Sequence, residues 1–195
     1  MSVAITLRTV LIALLLAAPA VAQDKPPLHP TRDATIDYRM EGGRGGPKTM
    51  RMYVTAGGTR TRMEPSEGNV AIVVDRAAGK MMIVMLDQRK FMERPVGAGM
   101  PGGFDLPGGA NFARKGSDTV AGLSCTIWEG NNDRHSTACV TDDGLILRGE
   151  SQAPSGERTG LVATSVTVGP VSPELFKPPA GFTAFERPGA PATRP

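Results

Sequence analysis

The segment Asn69–Pro95, NVAIVVDRAAGKMMIVMLDQRKFMERP, constrains the fold more than any other part of the chain. Val70–Val74, Met81–Leu86 and Lys90–Glu93 are short runs separated by the polar, turn-forming stretches Asp75–Lys80 and Asp87–Arg89. The runs are too short for helices and the first two are rich in Val, Ile and Met, so the segment reads as a three-strand meander. In a strand, Met81, Ile83 and Met85 point to one face while Met82, Val84 and Leu86 point to the other. A meander with one wet side would alternate apolar and polar residues, yet here both faces are apolar. One must meet a core, and the other a helix, a loop, a partner or a ligand. These six residues, with Val70, Ile72 and the later Phe104, are therefore the candidate ligand-lining set.

The leader and the cysteines together give the address. Arg8, the apolar run Val10–Ala18 and the small residues Ala20-Val21-Ala22 form a secretory signal peptide over residues 1–22. Its apolar run is too short to span a bilayer, and no later segment has 18 consecutive apolar residues. The expected product is a soluble periplasmic protein with no transmembrane segment in the mature chain. Cys125 and Cys139 are the only cysteines. In an exported chain they read as one disulfide, with two buried thiols as the alternative. Closing a loop of about fifteen residues would stabilise by roughly 3 kcal/mol. Without Arg8 the chain carries 21 basic and 19 acidic residues, scattered rather than clustered. That excludes a nucleic-acid footprint.

In order, the mature chain begins with a Pro-rich lead-in over 23–33. A single β domain is expected over 34–186, and a disordered tail over 187–195. Strands are expected at Ala34–Met40, Thr49–Thr55 and Thr59–Glu64, then the meander. The Gly/Pro loop Val96–Asn111 follows, with Phe104 and Leu106 to bury. Further strands are Leu123–Glu129, Arg134–Thr141, Gly144–Gln152 and Thr159–Val168, with Asp142-Asp143-Gly144 as a tight hairpin turn. Ser172 caps one helical turn that has Pro173 at its first position, and Pro178–Phe182 ends the ordered part. The expected fold class is mainly β: a curled antiparallel sheet, either half-barrel or sandwich, of about ten short strands with little helix.

The second half carries a family pattern. Gly116-x-Asp118-Thr119-Val120-Ala121-Gly122-x-x-Cys125-x-x-Trp128 is followed by Ala138-Cys139-x-Thr141-x-Asp143-Gly144-Leu145-x-Leu147-Arg148 and by Leu175-Phe176-x-x-Pro179-Ala180-Gly181-Phe182. With Arg60-Thr61-Arg62-Met63-Glu64, this resembles a bacterial family of exported domains of unknown function. That family is similar to the lipoprotein carriers and receptors of the outer-membrane sorting pathway (LolA/LolB type). The resemblance implies a half-barrel around an apolar cavity. Those carriers cover the mouth with helices; this chain has no long amphipathic helix and offers the loop Val96–Asn111 in that place.

Catalytic chemistry finds little support. A Ser–His–Asp assembly would need His135 with Ser124 or Ser136 and Asp142, and no Gly-x-Ser-x-Gly elbow accompanies them. Gly97–Gly102 matches GxGxxG, but no helix follows to meet a pyrophosphate. Nine methionines follow Met1. Met50/Met52 and Met81/Met85 each place two thioethers on one strand face, a pattern compatible with Cu(I) or with an adaptable apolar lining. Arg60, Arg62, Arg89 and Arg94 read either as a basic rim or as solvated strand edges. The leading expectation is a non-catalytic binding domain without a cofactor, recognising a lipid, an acylated protein or another envelope protein through an apolar sheet face. A Met-based copper protein and a ligand-free envelope interaction or stress-sensing domain are the alternatives.

Overall fold

The computed structural model describes residues 25–27, 29–42, 48–97, 111–131, 135–152 and 155–185. The stretch read as a signal peptide, the residues beyond 185 and residues 98–110, with Phe104, lie outside them. Six strands follow one another as hairpin neighbours: β1 (Ala34–Gly42), β2 (Lys48–Val54), β3 (Arg60–Pro65), β4 (Val70–Asp75), β5 (Lys80–Met85) and β6 (Lys90–Pro95). A second run does the same: β7 (Asn111–Val120), β8 (Leu123–Asn131), β9 (His135–Val140), β10 (Ile146–Gln152) and β11 (Arg158–Val168). Antiparallel pairing of β1 with β11 joins the runs, and β12 (Thr183–Ala184) adds to β6 in parallel. The result is one open twelve-stranded sheet, ordered β12-β6-β5-β4-β3-β2-β1-β11-β10-β9-β8-β7. The half-barrel is as expected, with two strands more than the sequence reading and one of them parallel.

Ile36, Met52 and Met63 pack into one core cluster with Leu145, Leu147 and the cysteines of the second run. Tyr38 ties the halves by donating its hydroxyl to the Ile146 carbonyl at 2.7 Å, and burial pushes its pKa well above the usual phenol value. Cys125 and Cys139 form the disulfide, with Cα atoms 5.3 Å apart, between neighbours β8 and β9. Alternate residues of the same strands, Trp128 and Ala138, pack on the opposite face with Val140 and Phe112. An ion pair from Arg148 on β10 to Asp118 on β7 reaches across this disulfide-bearing pair.

One end of the curl is closed by the lead-in. Pro26 and Pro30 are buried, Thr31 donates its N–H to the Asp143 carbonyl at 2.8 Å, and the Pro30 carbonyl accepts from Gly57 at 2.6 Å. The turn at 141–145 corrects the tight-hairpin expectation. Five residues separate β9 from β10, because the lead-in passes over them: a Cβ on Gly144 (φ +86°) would stand 2.3 Å from the His29 carbonyl oxygen. The true two-residue hairpin is Ala121-Gly122, where both φ angles are positive (49° and 79°).

Candidate functional site

Strand alternation and register sort the side chains of β1–β6 onto two faces. On the inner face Ile36, Met52, Met63, Ile72, Ile83 and Met92 form one row across all six strands. Toward the closed end lies the row Ala34, Val54, Thr61, Val74, Met81 and Arg94. Toward the open end lie Tyr38, Met50, Val70, Met85 and Lys90. Burial falls off along these rows. Ile36, Met52 and Met63 are buried against the second half of the sheet, whereas Ile72, Ile83 and Met92 are only half-buried. At the open end Val70 is 37 % exposed. Phe185, just past β12, continues the surface around the edge: its N–H donates to the Phe91 carbonyl at 2.7 Å, and its ring lies beneath the Lys90 ammonium at 5.5 Å. The inner face of β4–β6 is thus an apolar strip that nothing among the described residues fully covers.

The outer face of the same strands is covered by the chain itself. Residues 171–185 cross it as a strap, and Phe176 and Phe182 pack with Phe91 on Ala71, Val73, Met82 and Val84. A 3-10 turn, Pro173–Phe176, sits where a helical turn was expected; Ser172 is at its cap position without a side-chain capping bond. Arg62 anchors the strap. Only 6 % exposed, it donates to the Leu175 carbonyl at 2.9 Å and to Glu64 at 2.6 Å. The guanidinium of Arg60 lies over the Phe176 ring at 5.7 Å. Ordered structure therefore continues past Phe182 to the parallel pairing at β12 rather than ending there.

The candidate lining set accordingly divides. Val70, Ile72, Ile83 and Met85 face the strip, Met81 lies buried at its deep end, and Met82 and Val84 lie beneath the strap. Leu86 sits in the β5–β6 turn, 40 % exposed. Met92, Phe185 and the strap were missed. Lys90-Phe91-Met92-Glu93-Arg94 alternates, which was the signal for Met92. The Met50/Met52 and Met81/Met85 pairs share the inner face, with β3 and β4 between them. Of the four arginines considered as a rim, only Arg94 is on the inner face; Arg60 and Arg62 serve the strap, and Arg89 lies in a turn against Gly181.

The groups weighed for catalysis are dispersed. His135 opens β9 and Asp142 lies beyond its other end, a separation of about 20 Å at ~3.3 Å per residue. The Ser136 hydroxyl donates to the Gly130 carbonyl at 3.2 Å. His135 instead lines an outer cleft of about 460 Å³ with Glu41, Glu150 and Arg158, where Glu41 is engaged by Arg39 at 3.1 Å. Among the described residues no group of three or more His, Cys, Asp or Glu side chains is placed to hold a metal ion. No helix among them is long and apolar enough to cross a membrane.

No protein-family model matches the sequence, and no curated protein matches it. The fold does have solved counterparts. An uncharacterized conserved protein from Thermus thermophilus superposes with a TM-score of 0.58 at 11 % identity, over 80 % of this chain and 91 % of that one. MucB superposes with a TM-score of 0.55 at 14 % identity, over 80 % of this chain and 60 % of MucB, so the chain spans less than two thirds of MucB. The similar structures also include a LolA-superfamily protein from Nitrosomonas europaea (TM-score 0.39, 9 % identity, 76 % of this chain and 91 % of that one) and a DUF1329-family protein from Desulfovibrio piger. At these identities the likeness to the Thermus protein and MucB is one of fold: a curled, open β-sheet of the same architecture.

Proposed function

We propose that this chain is an exported, non-catalytic binding domain that takes the acyl chain of a lipid or of an acylated protein along the inner face of β4–β6. The observation that carries the reading is the fall in burial along one continuous apolar row, from buried Ile36, Met52 and Met63 to half-buried Ile72, Ile83 and Met92. An exposed apolar patch with a packed continuation marks a site that an apolar partner completes. Methionine suits varied chains because its thioether stem is unbranched and polarizable. The outer face already has its cover in the strap. The signal segment 1–22 and the disulfide agree with an oxidising, periplasmic setting. MucB, similar in fold, has been solved in complex with MucA from Pseudomonas aeruginosa, so an envelope protein is the competing occupant.

The test uses monopalmitoylglycerol, a neutral amphiphile, titrated calorimetrically into the mature protein below its micellar concentration. Wild type is expected to bind it, and Ile83→Glu to lose at least about tenfold in affinity while keeping its fold, since a charge in the strip must be desolvated. Met82→Glu, beneath the strap, should instead lower the melting temperature. Binding that survives Ile83→Glu, or is absent from wild type, would overturn the reading and favour a protein partner.

A further inference from the structure

The charges of β1–β6 are segregated by face. Asp37, Glu41, Glu64, Asp75 and Glu93, every carboxylate these strands carry, fall on the outer face by alternation and register. The inner face carries Lys48, Lys90 and Arg94 and no acid. Lys90 and Arg94 stand on β6 on either side of Met92, both half-buried at the margin of the apolar strip. Among the described residues neither is paired with a carboxylate, and the Lys90 ammonium has only the Phe185 ring, at 5.5 Å. A cation held against apolar surface loses hydration without a counter-charge to replace it. An anion delivered there by a ligand restores that loss through charge-assisted hydrogen bonds.

We infer that the ligand is an anionic phospholipid whose acyl chain lies in the strip and whose phosphate-bearing head meets Lys90 and Arg94 along β6. This rests on the acyl-binding reading above and adds the head-group class to it. The polarity follows from the ends of the strip. Burial deepens along the row from half-buried Met92 on β6 through Ile83 and Ile72 to buried Met63 and Met52, so the tail runs inward across the strands. The β6 edge, where Lys90 and Arg94 flank Met92, stays with the polar head. Acylated proteins and neutral lipids offer the same chain without the phosphate, and the cations would give them no advantage.

The experiment compares palmitoyl lysophosphatidylglycerol with monopalmitoylglycerol, which has the same chain and no charge, by calorimetry on the mature wild-type protein and on a Lys90→Gln/Arg94→Gln variant. The expected result is an approximately tenfold preference of wild type for the anionic lipid, shrinking with added salt. The variant should retain wild-type affinity for the neutral lipid and show no preference. Equal affinities in wild type, or a preference that survives in the variant, would overturn the head-group assignment and leave acyl binding standing. Failure of wild type to bind either lipid would remove the acyl reading and this inference together.

Discussion

Asp33 shows how much of this architecture hangs on single side chains. One of its carboxylate oxygens accepts from the Ala56 N–H at 2.8 Å, the other from the Val171 N–H at 3.1 Å, and its carbonyl accepts from Gly169 at 3.0 Å. It therefore holds the end of the lead-in, the β2–β3 turn and the root of the strap together. Charged acceptors make stronger hydrogen bonds than neutral ones, and an N–H left without its partner adds a desolvation cost. Asp33→Ala should cost about 2–3 kcal/mol, and Asp33→Asn, which keeps one oxygen, about half of that. Urea denaturation followed through Trp128, the only tryptophan in the chain, would measure both. Equal losses for the two variants would mean that the side chain acts by something other than these bonds.

At the scale of elements, the strap decides which apolar face is free. Phe176 and Phe182 are half-buried on Ala71, Val73, Met82 and Val84, so Phe176→Ala or Phe182→Ala should each cost about 1–2 kcal/mol. Each should also raise binding of the dye ANS by opening the outer face; unchanged dye binding would show that the strap does not shield it. The two-faced apolar character of Met81–Leu86 was legible in sequence, as were ten strands, their pairing mostly with sequence neighbours, and the disulfide. The cover was not. Pro178-Pro179-Ala180-Gly181 reads locally as a chain terminator, and only the tertiary contact of Phe176 and Phe182 with β4–β5 gives the segment a place. Asn111–Val120 was missed as a strand for a related reason. It is polar and Gly-containing because it is an exposed edge, and its pairing with β8 comes from the Ala121-Gly122 hairpin rather than from an apolar pattern. The strip itself was half legible: alternation assigns partners to a face, but which face stays open depends on the curl.

For the molecule as a whole, carboxylates act as the fasteners between distant parts of the sheet. Asp37 on β1 accepts from Arg51 on β2 at 2.6 Å and from the Ser165 hydroxyl on β11 at 2.9 Å, and chiefly the Arg51 bond holds its carboxyl below the usual range. Asp118 is lowered by the Thr119 N–H and then by Arg148, its cross-sheet partner. For Asp143, partial burial pushes upward but is outweighed by the Thr141 hydroxyl and by Arg32 of the lead-in. Groups with depressed folded pKa values contribute stability that is fully present above their unfolded values, near 4, and is lost as pH falls through the folded ones. The melting temperature should therefore stay level from about pH 7 to about pH 5 and decline below about pH 4. Asp118 is exposed and Asp37 and Asp143 are partly so, so the decline should be modest and should shrink with added salt. Asp143→Asn separates the fasteners. It should lower the melting temperature at neutral pH, flatten the acid slope, and expose the lead-in to proteolysis at Lys25 first, because Arg32 then loses its only ion pair among the described residues. A variant whose acid slope matches wild type would show that the lead-in is held by its backbone bonds to Asp143 and Gly57 alone.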